Sequence, residues 1–64
     1  MTNQYNIDRF AAACSDMNSM DELEEALRGP ADARDCQEWG LSPEDWREAI
    51  EDAIDMLEND GGPA

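Results

Sequence analysis

The chain has no lysine, no histidine and no valine, and only two cysteines, one tyrosine and one phenylalanine. Each absence excludes something. Without histidine, the commonest general base and metal ligand is gone. Without lysine, the only cations are Arg9, Arg28, Arg34 and Arg47, too few to neutralise a row of phosphates or to hold an anionic membrane surface. No alternating run of β-branched residues is present, so no strand is predicted. No apolar run approaches the roughly 20 residues of a spanning helix. Met1 to Arg9 lacks the charged and apolar regions of a signal peptide, so a cytoplasmic location is expected. Cys14 and Cys36 cannot define a scaffold and form no C-x-x-C zinc motif. In a reducing compartment they read as small buried hydrophobes, with a mutual bridge or a redox role as the alternatives.

Carboxylate is what the chain has in excess. Seventeen of its 64 residues are Asp or Glu, for a formal net charge of −13. Such a field opposes compaction, and its natural use is to meet something basic. A chain of this length forms one small domain with a marginal core, burying only about 60% of its unfolded surface. Yet 41% of its residues are apolar, more than a disordered chain carries. A folded monomer is expected, one whose stability rises as salt screens its carboxylates.

The punctuation predicts an all-α fold, a single-domain bundle of three to four short helices over residues 1–58, with a flexible tail at 59–64. Ile7, Phe10, Ala11, Cys14 and Met17 make a helical stripe, capped by Asn6 or Thr2, with Asp8 in its first turn and its end between Ser15 and Asn18. Ser19 and Glu22 form a capping box for a second helix, with Met20, Leu23, Ala26 and Leu27 inward and Arg28 in the last turn. Gly29, in a left-handed conformation, and Pro30 would stop it. A third, short helix spans roughly Ala31 to Trp39, with Ala33, Cys36 and Trp39 inward and Gly40 closing it. The fourth, about 43–58, is the longest and most strongly amphipathic. Ser42 caps it, Pro43 takes its first position, and Leu41 and Trp46 are placed for a hydrophobic staple. Trp46, Ile50, Ala53, Ile54 and Leu57 mark its buried face.

On that last helix Glu44, Glu48, Glu51, Asp55 and Glu58 fall in one arc opposite the apolar side, with Asp45 and Asp52 flanking it. At about 1.5 Å per residue the stripe is roughly 21 Å long, with a carboxylate every ~5 Å. One DNA strand carries a charge about every 3.4 Å, so the two spacings are of the same order. Like charges at i,i+4, such as Glu44–Glu48, Glu51–Asp55 and Asp21–Glu25, destabilise a helix by a few tenths of a kcal/mol per pair. A chain shaped only by folding would place lysine among them, which points to a partner-binding acidic surface. Asp21, Glu22 and Glu25 form a possible second row.

No catalytic constellation, cofactor motif or metal site competes with this reading, and no enzyme activity is expected. Glu58-Asn59-Asp60-Gly61 is only a fragment of a calcium loop, without its first ligand and closing Glu. Asn18-Ser19-Met20 resembles the modified-serine site of acyl carrier proteins. The family's Asp-Ser-Leu is Asn-Ser-Met here, however, and its long first helix does not fit into the preceding residues, so Ser19 is better explained as a cap. Trp39 and Trp46 read first as core, with Trp39 the better candidate for an exposed anchor.

By size, charge and composition the whole chain is similar to the small acidic anti-CRISPR proteins of phages, and among them to the DNA mimics. Within that group it looks most like an inhibitor of a type I system, with type I-C the preferred subtype. The resemblance implies competition for a DNA- or PAM-reading site on a Cas surveillance-complex subunit, a basic nucleic-acid-binding protein, with no direct contact to nucleic acid or membrane. It carries no shared motif, so the residues proposed for contact come from the charge pattern: Glu44, Glu48, Glu51, Asp52, Asp55 and Glu58, then Asp21, Glu22 and Glu25. A small adaptor that grips a protein through apolar or Trp contacts is the competing reading.

Overall fold

Four helices account for most of the described residues in a computed structural model that describes residues 3–60: α1 (Gln4–Met17), α2 (Met20–Arg28), α3 (Ala33–Trp39) and α4 (Pro43–Asp60). The shortest dimension is 16 Å. A helix with its side chains is about 10–12 Å across, so no helix is enclosed and each keeps a face in water. That leaves room for the whole carboxylate excess at the surface.

α4 is the hub, packing on α1 most extensively, then on α2 and α3. Its Ala49 and Ala53 are fully buried, and small side chains there let neighbouring helices approach closely. Around them lie Trp46 and Ile50 of α4, Ile7, Phe10, Ala11 and Cys14 of α1, Leu23 of α2, and Leu41. Ala49 adds to the buried face expected for α4, while Ile54 and Leu57 are half-buried at its edge. α1 and α4 run in the same direction along their seam. Asn3 donates from Nδ2 to the Gly40 carbonyl just before α4 begins, and Ala12 to Asp16 lie beside Met56 and Leu57 near the other end.

Two of the four starts, those of α2 and α4, follow the expected chemistry, and α3 has a cap that was not expected. Ser19 Oγ accepts from Glu22 N–H at 3.3 Å while Glu22 Oε1 accepts from Ser19 N–H at 2.9 Å, completing the capping box. Ser42 Oγ accepts from Asp45 N–H at 3.1 Å, with the staple residues Leu41 and Trp46 both buried. Asp32 accepts from Arg34 N–H at 2.9 Å and Asp35 N–H at 3.2 Å, so α3 begins after this cap rather than at Ala31. Ala33 is then exposed, not inward.

α1 differs from expectation. It begins at Gln4, with Asn3 in the cap position but no side-chain cap bond. Asn6 is therefore inside the helix and Asp8 beyond its first turn, while Thr2 lies outside the described residues. Met17, the last residue of α1, is 79% exposed rather than inward, at the helix's end and on the margin of its apolar stripe. At the far end of the chain α4 continues through Asp60, so Asn59 and Asp60 are helical where a tail was expected; residues 61–64 lie outside the described residues.

The two helix-ending glycines act differently. Gly40 takes the left-handed conformation at φ 65°, and Leu41 N–H closes back to the Cys36 carbonyl at 2.8 Å. Gly29, at φ −105°, is extended rather than left-handed. The end of α2 is capped instead by Arg47 of α4, whose guanidinium donates to the carbonyls of Leu27 at 3.1 Å and Gly29 at 3.2 Å. A cation at a helix C-terminus also meets the negative end of its dipole. The one arginine of α4 is thereby a structural tie. Arg47→Ala should lower stability by about 1 kcal/mol in urea unfolding, and Arg47→Lys should recover less than half of that, since an ammonium lacks the fork that spans two carbonyls.

Candidate functional site

The stripe proposed from sequence is present as a surface. Glu44, Glu48, Glu51, Asp55 and Glu58 are all exposed. At about 100° per residue they occupy an arc of roughly 80°, opposite Trp46, Ala49, Ile50 and Ala53. The helix forms with this many like charges because its other face is buried against three neighbours, and tertiary packing outweighs local repulsion.

Asp52 stands apart from that row. It is half-buried on the flank of α4 that faces α1. Its carboxyl is raised above the ordinary value, first by burial, then by the charges of Asp8 on α1 and of Asp55 and Glu51 on its own helix. Asp8 is the site residue that sequence reasoning missed, having been assigned to the dipole of α1. The signal that could have found it is its position one residue past Ile7, about 100° round from the core stripe; its meaning emerges only once α1 is paired with α4. Asp16 lies two turns further along and lines the same seam.

The second row is separate. Asp21, Glu22 and Glu25 surround a shallow depression over Ala26 that no α4 carboxylate lines. Glu22 is also committed to the capping box. The structure therefore keeps Glu44, Glu48, Glu51, Asp55 and Glu58 as one exposed row, sets Asp52 with Asp8 on its flank, and leaves the α2 group separate.

Two of the four arginines are occupied away from carboxylates. Arg47 caps α2. Arg9 stacks between two aromatic rings, 5.5 Å from the Tyr5 centroid and 5.9 Å from Trp39. Trp39 is half-buried and packs on Phe10 at 5.2 Å between centroids, whereas Trp46 is buried and directs its indole N–H toward Asp35 at 3.4 Å.

The chemistry on offer is anionic binding. Both cysteines are free. Cys14 is pushed up to about 11 by burial and by Asp35, and Cys36 is raised by burial, Asp35 and Asp32. Neither is a thiolate at neutral pH. Ser19 Oγ is held in the capping box. Among the described residues no three Cys, Asp or Glu side chains converge on a metal-sized point, and no helix is long and apolar enough to cross a membrane.

Because the folded carboxyl of Asp52 sits above its unfolded value, its ionisation opposes folding, and this penalty is absent below the unfolded value and grows as pH rises through the folded one. Asp52→Asn should therefore raise Tm at pH 7, with the advantage shrinking as the pH falls through the carboxylate range. Thermal unfolding followed by circular dichroism at several pH values reads this directly.

No protein-family model, no curated protein and no solved structure matches this chain.

Proposed function

We propose that this chain is a DNA-mimic inhibitor: its acidic surface occupies the basic groove in which a nucleic-acid-binding protein receives duplex. The anti-CRISPR proteins supply the model for the target, a DNA- or PAM-reading subunit of a type I surveillance complex in the bacterial cytoplasm. The chain acts there as a monomer and without catalysis or cofactor.

The observation that carries the reading is the exposed row Glu44, Glu48, Glu51, Asp55 and Glu58 on one face of α4, in a molecule of net charge −13. The row is held on a long helix anchored on its opposite side, so its backbone needs no ordering at binding and only the side chains lose freedom. Carboxylates accept charge-assisted hydrogen bonds from the arginines and lysines that otherwise hold phosphates. The field of the whole chain speeds encounter with a basic groove and makes binding sensitive to salt.

The adaptor reading rests on exposed Tyr5, 71% accessible, and on its stack with Arg9 and Trp39. It is weaker, because Trp39 is already engaged by Phe10 and Arg9 and has little free surface to insert.

Replacing Glu44, Glu48 and Glu51 together by Lys separates the two. Affinity for a purified type I surveillance complex should fall by about 100-fold or more, with the far-UV circular dichroism of the free chain unchanged. Trp39→Ala should change affinity by less than about threefold. The opposite pattern, with Trp39→Ala abolishing binding and the triple reversal leaving it intact, sinks the mimic reading.

A further inference from the structure

The seam between α1 and α4 opens, at its far end, into a groove of about 480 Å³ lined by Ala12, Ala13, Ser15, Asp16, Met56 and Leu57. It exists because α1 places small side chains where α4 places long ones. Met56 forms a wall and is 39% exposed. Methionine at such a wall adapts to differently shaped apolar partners. Asp16 stands in the groove, and Asp8 and Asp52 crowd the seam from which it opens.

We propose that this groove docks a short basic amphipathic helix of a partner protein. An aliphatic side chain of that helix enters between Ala12, Ala13 and Met56, while lysines or arginines flanking it meet Asp16 on one side and Asp8 with Asp52 on the other. Charge complementarity selects this occupant. A purely apolar helix would strip water from the rim carboxylates and leave them unpaired. A second copy of this chain would bring another −13 to the same surface. A basic helix does neither, and it relieves the crowding around Asp52. Adding an apolar contact beside the charge also supplies selectivity that carboxylates alone lack, since any polycation satisfies a bare acidic row. The inference goes beyond the mimic reading, which needs only the outer face of α4.

The test uses the full chain and a leucine–lysine peptide of about 14 residues, four helical turns, beside a scrambled peptide of identical composition. Titration calorimetry at about 150 mM salt, where long-range attraction is screened, should show the amphipathic peptide binding about tenfold tighter than the scrambled one. Ala12→Gln, a neutral and helix-compatible side chain added on the exposed α1 wall of the groove, should erase that ratio. Reversal of Glu44, Glu48 and Glu51 should weaken both peptides alike and keep the ratio. Equal binding of the two peptides, or a preference that survives Ala12→Gln, overturns the proposal. So does a dimer in light scattering of the free chain that Ala12→Gln dissociates, which would assign the groove to a second copy. None of these outcomes bears on displacement by duplex DNA, so the groove and the mimic reading fail separately.

Discussion

Ala49 and Ala53 lie fully buried on the helix against which the other three pack most, and the fold depends on the contact they permit. Each carboxylate on the outer face of α4 adds repulsion that local helix chemistry cannot offset. What holds the helix is the opposite side, where Trp46, Ile50 and the two alanines meet α1, α2 and Leu41. With so short a chain that core has little to spare. A large side chain at position 49 or 53 would force α1 and α2 outward and leave the acidic helix without its support.

The same economy governs the cations. Four arginines cannot neutralise 17 carboxylates, and two of the four are engaged elsewhere. Arg47 ends α2 through two carbonyls, and Arg9 bridges Tyr5 and Trp39. These side chains contribute to packing and capping, where geometry makes them effective, while surface ion pairs would add little. The α4 carboxylates Glu44, Glu48, Glu51, Asp55 and Glu58 stay exposed.

Much of this fold was legible because its helix ends are written in local chemistry. The Ser19–Glu22 box, the Ser42-Pro43 start with its Leu41–Trp46 staple, and the Gly40 stop each involve residues within a few positions of one another. The features that escaped are those set by neighbours distant in sequence. Gly29 could be extended because Arg47 had taken over its capping role. Asn3 rather than Asn6 marks the start of α1, in a place where its side chain reaches Gly40 instead of its own helix. The acidic row of α4 could be read from periodicity alone. Asp8 and the Met56 groove could not, since both arise from the pairing of α1 with α4. The α2 carboxylates were already legible as a second row, and the packing adds that no α4 carboxylate lines their depression.

Fold and charge together describe a small anchored helix with a row of exposed carboxylates, the surface proposed to meet a basic partner. The most direct measurement is the affinity of this chain for a type I surveillance complex at increasing concentrations of duplex DNA bearing the target sequence. Mimicry requires mutual exclusion: the apparent Kd should rise in proportion to the DNA, and no complex containing both should form. A stable ternary complex, with the affinity for the chain unchanged at saturating DNA, would contradict the account and return the acidic face of α4 to the role of a solvated surface.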